Sequence, residues 1–273
     1  MVKNPWLFCI TLALIAFTYA CAPEKSTEQE ASEPQTTEEA PKAITLTPLE
    51  GSQDFPEASL ELVSAAPAEE DGYGFEFAVE GYTLGEQTGP AATLGLANSG
   101  KGQHIHFIVD NGPYSAHYVP KFTTDKLDEP ANHVVLAFLS RSYHESVKNM
   151  NDPKSFVVTQ INTGEDVEAA ADLTAPHMFY SRPKGTYKGA DIDKLLLDFF
   201  LLNVDLSTDG YKVRATINGQ EFLLTEWKPY VIEGLEPGEV TVKLELMDAA
   251  GEIVPGPFNV VERTVTLAAA VEQ

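Results

Sequence analysis

The sequence predicts an all-β chain, with two tandem β-sandwiches behind a leader and an acidic tether. Three observations lead there. First, Gly102 to Pro113 (GQHIHFIVDNGP) alternates Ile105, Phe107 and Val109 with His104, His106 and Ile108, the period of a half-buried strand. It runs into Asn111-Gly112, a turn pair in which both residues tolerate positive φ. Second, the pattern returns at Gly210 to Gln220 (GYKVRATINGQ), where Val213, Ala215 and Ile217 alternate with Lys212, Arg214 and Thr216. Third, the remaining sequence consists of short apolar runs cut by Gly, Pro, Asn and Asp, without an amphipathic helix.

The chain starts MVKNPWLFCITLALIAFTYAC, one lysine before an apolar run that ends at Ala20 and Cys21. The run is too short to span a bilayer and polar sequence follows at once, so residues 1–20 read as a secretory signal peptide. Thr18-Tyr19-Ala20-Cys21 resembles the bacterial lipoprotein signal, which implies cleavage before Cys21 and acylation of that cysteine. Ala22 resembles an outer-membrane sorting residue. The expected location is therefore lipid-anchored at the outer membrane, facing the periplasm or the cell surface. Cys9 leaves with the leader, so the folded region has no disulfide, thiolate metal site or cysteine nucleophile.

Residues 21–43 form the lipidated cysteine and its tether. Glu, Ser, Thr, Pro and Ala dominate, and no bulky apolar residue occurs between 22 and 42, so nothing can build a core. Fully extended, this segment reaches about 70 Å.

The folded part repeats. An offset of 122 residues sets Phe77 on Phe199, Glu76 on Asp198 and Val79 on Leu201. An offset of 108 sets Gly102 on Gly210, Ile105 on Val213 and Asp110 on Asn218. A third block, at 107, sets His133 on Val240, Glu145 on Glu252 and Val158 on Val265. Three such blocks in order predict a duplication. Each unit is a little over 100 residues of short strands, which fits an immunoglobulin-like sandwich without the cysteine pair. The predicted first domain is 44–165, the linker 166–172 and the second domain 173–273. Trp227 reads as a core or interdomain aromatic.

Net charge is −23, with 18 basic and 41 acidic residues, which argues against nucleic acid as a partner. No Gly-x-Ser-x-Gly elbow, phosphate loop or framed carboxylate pair appears, so no catalytic residue and no enzyme activity is expected.

The copies differ in three ways that locate candidate chemistry. The fall in offset from 122 to 108 gives the first copy a longer connection within 85–101, next to His104. All six histidines lie between 104 and 177, and His104 and His106 stand where the second copy has Lys212 and Arg214. On one strand face their Cα atoms lie about 7 Å apart. Because Ile105, Phe107 and Val109 hold the core side, both imidazoles are expected to face outward. Such a pair suits copper or zinc, with His144, His117 or Glu145 as a third ligand; otherwise the fold needs no cofactor. Finally, SRSYHES (Ser140 to Ser146) replaces the plain turn MDAAGEI, adding Arg141, Tyr143 and His144. With Lys148, and with Arg182 from the second domain, these could receive a phosphate or carboxylate. The competing expectation is that Arg141 and Arg182 pair with some of the many carboxylates.

Gly102-Gln103-His104-Ile105-His106, Ser140-Arg141 with His144-Glu145-Ser146 and Lys148-Asn149, and Ser181-Arg182-Pro183 together resemble a family of Bacteroidota-like lipoproteins. The resemblance covers nearly the whole folded chain. It implies tandem immunoglobulin-like domains and no assigned catalytic activity; some members carry the label phosphopeptide-binding. The expected function is a membrane-anchored, non-catalytic binding or adhesion module for a protein, peptide or small ligand. Two alternatives are metal binding through His104 and His106, and anion binding through Arg141, Arg182 and His144, with Tyr143 beside them.

Overall fold

The computed structural model describes residues 43–89, 91–164 and 171–269. The leader, Cys21, nearly all of the tether and most of the linker lie outside the described residues.

The first strand, β1 (Thr45–Pro48), precedes two groups of strands. The first group is β2 (Ser59–Pro67), β3 (Tyr73–Glu80), β4 (His104–Val109), β5 (Ser115–His117), β6 (Lys121–Thr124), β7 (Asn132–Ser140) and β8 (Phe156–Asn162). The second is β9 (His177–Arg182), β10 (Thr186–Lys188), β11 (Leu195–Leu202), β12 (Lys212–Ile217), β13 (Gln220–Leu224), β14 (Tyr230–Glu233), β15 (Gly238–Met247) and β16 (Val260–Ala268). The first group makes a three-stranded sheet, β2-β3-β6, and a four-stranded sheet, β5-β4-β7-β8. Phe75, Phe77, Ile105, Phe107, Val135 and Leu139 fill the space between them. The second group repeats this plan as β14-β11-β9 and β16-β15-β12-β13, with β1 and β10 added at the edges. Leu197, Phe199, Val213, Ile217, Leu244 and Val265 form its core. The chain is therefore all-β, with two sandwiches of immunoglobulin-like class.

The duplication extends to individual hydrogen bonds. Asp110 N–H donates to Val134 O (2.9 Å) while Asp110 Oδ1 accepts from Val134 N–H (2.8 Å). Asn218 does the same with Thr241, at 3.0 and 2.9 Å. The turns after these strands place their left-handed residues at equivalent positions. In the second copy Asn218 and Gly219 take φ of 47° and 84°, a two-residue hairpin turn. In the first copy the left-handed residues are Asp110 (49°) and Asn111 (54°), one position earlier than the expected Asn111-Gly112. Asn111 is held there by the second sandwich: its amide donates to Met178 O and Phe258 O and accepts from Tyr180 N–H.

Two expectations change at the domain level. Strand β1 pairs with β14, Thr45 opposite Glu233, so residues 45–48 complete the second sandwich rather than opening the first. The outer face of the β4–β7 sheet is also not free. Ile108, Val134, Leu136 and Phe138 pack on Phe179, Phe200, Leu202 and Phe258 from the outer side of the second sandwich. Phe138 and Phe200 stack at 5.1 Å, and Trp227 stands edge-on to Phe200 while its indole N–H donates to Phe199 O (2.8 Å). The molecule is thus four sheets deep, and its third apolar cluster lies between the sandwiches.

Candidate metal centre

Strand β4 sorts its side chains as the alternation requires. Ile105, Phe107 and Val109 enter the first core, and His104, His106 and Ile108 take the opposite face. That face carries the second sandwich, so His104 and His106 are fully buried (0% exposed) instead of facing solvent as expected. His144 comes from the turn after β7. That turn closes with Arg141 N–H to Glu145 O and His144 N–H to Arg141 O, both 2.8 Å. The equivalent bonds in the second copy run from Asp248 to Glu252 and from Gly251 to Asp248.

The three imidazoles converge. His106 Nε2 lies 2.9 Å and His144 Nδ1 3.1 Å from His104 Nε2, and all three nitrogens fall within 4.8 Å of one another. His104 Nδ1 is 2.8 Å from Gly102 O. A carbonyl only accepts, so that nitrogen carries the proton and the Nε2 lone pair points into the cluster. Gly102 is required in turn: it has φ of 86°, and a Cβ there would meet Gly85 O at 2.4 Å. His106 Nδ1 is 3.2 Å from Ser181 Oγ of the second sandwich, and the Tyr114 ring stacks on His106 at 3.6 Å. The Tyr114 hydroxyl is 3.4 Å from His144 Nδ1.

Burial, more than any neighbouring charge, keeps these rings neutral. His104 is pushed down to about 4, and His106 and His144 also fall below the ordinary histidine value. The Arg182 guanidinium adds repulsion in all three cases. Neutral imidazole is the metal-binding form. His104 Nε2 has one lone pair and so accepts well from only one of the two facing nitrogens, whereas one ion can accept three lone pairs from the same positions. Nitrogens at 2.0–2.1 Å around a tetrahedral ion stand about 3.3 Å apart; the separations of 2.9 and 3.1 Å would open slightly, and the widest in the set, up to 4.8 Å, would close. The donor set is all nitrogen, which suits copper or zinc.

The other predicted residues lie elsewhere. His117 hydrogen-bonds Ser115 Oγ (2.8 Å) and stacks on Phe122, away from the cluster. Glu145 is paired with Arg141 at 3.1 Å and accepts from Ser52 Oγ at 2.5 Å. Arg141 is buried and donates to Gln53 O from Nε and Nη2 and to Ser146 O from Nη1, so its guanidinium faces the chain and not a ligand. Tyr143 packs among Ala91, Leu96, Leu196 and Val231. Lys148 is paired with Asp198 at 2.7 Å. Arg182 is buried, donates to the Tyr187 hydroxyl (2.9 Å), and forms no ion pair among the described residues.

The 85–101 connection straps over the 141–145 turn and not over β4. Ser142 N–H donates to Thr88 Oγ1 (3.0 Å), Ser99 N–H to Ser142 O (2.8 Å), and the Ser99 and Tyr118 hydroxyls meet at 2.7 Å beside His104. Sequence reasoning missed Tyr114, Ser181 and Asp198. Asp198 was legible as a lone carboxylate inside the apolar run LLLDFF.

No family model matches the chain, and no curated protein matches it. Among solved structures it is similar to the fibronectin(III)-like modules of Clostridium thermocellum CbhA at 12% identity, covering 77% of this chain and 94% of that one, with a TM-score of 0.27. It is similar to the two tandem V-type regions of the chitin-binding protein VCBP3 at 6% identity, covering 83% and 99%, with a TM-score of 0.22. A Ca2+-stabilized, ice-binding adhesin of an Antarctic bacterium gives 11% identity, 80% and 50% coverage, and a TM-score of 0.21. At these values none of them bears on the chemistry of the site.

Proposed function

We propose that the chain is a non-catalytic, extracytoplasmic binding module, tethered by lipid at Cys21, that holds one copper or zinc ion between its two sandwiches. The convergence of His104 Nε2, His106 Nε2 and His144 Nδ1 carries this reading. The leader and the acidic tether support the location. The His104–Gly102 bond supports it further, since a ring fixed from behind presents one defined lone pair. Arg182 repels a dication twice as strongly as a monocation, which favours Cu(I) over Zn(II). Anion binding through Arg141 loses support, because its donors are already engaged within the chain.

The test uses the chain from residue 21 onward, without the leader and with Cys21→Ser, so that no lipid or apolar leader holds it on the membrane. Adding Cu(I) or Zn(II) to about 100 times the dissociation constant should stabilise it by about 2.7 kcal/mol. For a folded region of this size, that is a rise in melting temperature of about 5–10 °C. His104→Ala with His106→Ala should abolish the rise. A rise that persists in that variant counts against the site.

A further inference from the structure

The chain is strongly acidic, and seven of its described lysines and arginines are ion-paired with carboxylates. Among the described residues the other eight form no such pair, and four of these, Lys126, Arg182, Lys184 and Arg263, lie together. Three of them grip one short loop: Lys126 Nζ donates to Pro113 O (2.6 Å), Lys184 Nζ to Tyr114 O (2.6 Å), and Arg263 Nη2 to Asn111 O. Lys184 also sits over the Tyr114 ring at 4.4 Å, with Arg182 5.5 Å from the same ring. Arg263 lies over Tyr180 at 4.9 Å. The Nε atoms of Arg182 and Arg263 are buried without a hydrogen-bond partner.

These cations disturb one another. Burial lowers Lys184, and Arg182, Lys126 and Arg263 add repulsion; Lys126 and Arg263 are lowered as well, burial first. Carbonyl oxygens offset part of this, and the Asp125 carboxylate offsets part of it at Lys126; no carboxylate does so at Lys184 or Arg263 among the described residues. Beside them opens a recess of about 350 Å³ walled by Pro113, Pro183, Lys184, Gly185, Arg263 and Thr264. Two of its lining residues carry charge, both positive, and the rest are two prolines, a glycine, a threonine and Val265.

We infer that this recess is an oxyanion site, in which Lys184 and Arg263 receive the phosphate, sulfate or carboxylate group of a small ligand. Arg182 and Lys126 stand behind them and add field. Guanidinium and ammonium together suit such a group, one by a planar fork and the other as a point charge. The site is separate from the imidazole cluster and does not depend on a metal.

The test is run on the Cys21→Ser chain stripped of metal with a chelator, so that failure here says nothing about the imidazoles. Pyrophosphate, sulfate and acetate are titrated against sodium chloride at matched ionic strength, following melting temperature and lysine side-chain NMR resonances. Pyrophosphate should give a saturable response, weakened at least fivefold by Lys184→Gln or Arg263→Gln. Lys121→Gln, which removes an exposed paired lysine, should leave it unchanged. Lys184→Arg should keep most of the affinity. Should either glutamine variant fold poorly, the wild-type titration still decides. The absence of a saturable response above chloride overturns the inference, as does wild-type affinity in both glutamine variants.

Discussion

His144 has φ of 72° in the turn where the second sandwich places Gly251 at 84°. The two turns share their hydrogen bonds, so the first copy holds an imidazole in a backbone conformation that its own duplicate assigns to glycine. A left-handed non-glycine residue costs of order 1 kcal/mol. That cost places one more nitrogen within 3.1 Å of His104.

This relationship separates two substitutions. His144→Gly should be more stable than His144→Ala by about 1 kcal/mol, because only glycine relieves the backbone. Both should lose the metal-induced rise in melting temperature. Thermal unfolding of the two variants with and without copper checks both statements.

Acid should weaken the fold through the buried rings. His104 falls to about 4 in the folded chain, below its ordinary value of 6.5, so folding favours the neutral ring. This contribution is present above about pH 6.5 and is lost as pH falls toward 4. His117 behaves alike. Melting temperature should decline across that window, and less steeply in His104→Gln. Metal affinity should hold down to about pH 5, since protons compete in the folded chain only near the lowered value.

The two sandwiches are also joined by charge. Asp198 on β11 is fully buried; it accepts from Ser146 N–H (3.2 Å), Ser146 Oγ–H (3.0 Å) and Lys148 Nζ (2.7 Å). Asp198→Ala leaves Lys148, itself mostly buried, without its partner and should cost about 3–5 kcal/mol. The double variant Asp198→Leu with Lys148→Met should recover much of that loss. Denaturant unfolding of the single and double variants measures it.

Opening the apolar seam should reach the imidazoles. Phe200→Ala removes the ring stacked on Phe138 and should cost about 3–5 kcal/mol. Because burial is the leading cause of the His106 shift, loosening the seam should move its titration back toward 6.5. NMR titration of the ring resonances reads the change.

The alternation in β4, the duplication and the pairing of His104 with His106 were legible from side-chain type and spacing, while spacing leaves the third ligand open among His144, His117 and Glu145. What covers that face was not legible, because matching one copy to the other carries no information on how the two sandwiches pack. A signal was available. Strand β7 (NHVVLAFLS) and β11 (LLLDFFLL) are apolar on both faces, the mark of a strand covered from two sides, whereas β12 (KVRATI) alternates cleanly and is half-exposed on its outer face. The difference between β4 and β12 is therefore the second sandwich itself. Arg141 and Tyr143 read as ligand contacts because a turn tip is usually exposed, but here it is wedged under the 85–101 strap.

The most direct measurement is X-ray absorption at the metal edge of the Cys21→Ser chain loaded with copper or zinc and then freed of excess ion. The account predicts one ion per chain with three imidazole nitrogens at about 2.0 Å. A chain that retains no metal, or one whose ion has oxygen ligands and survives replacement of His104, His106 and His144, would contradict it.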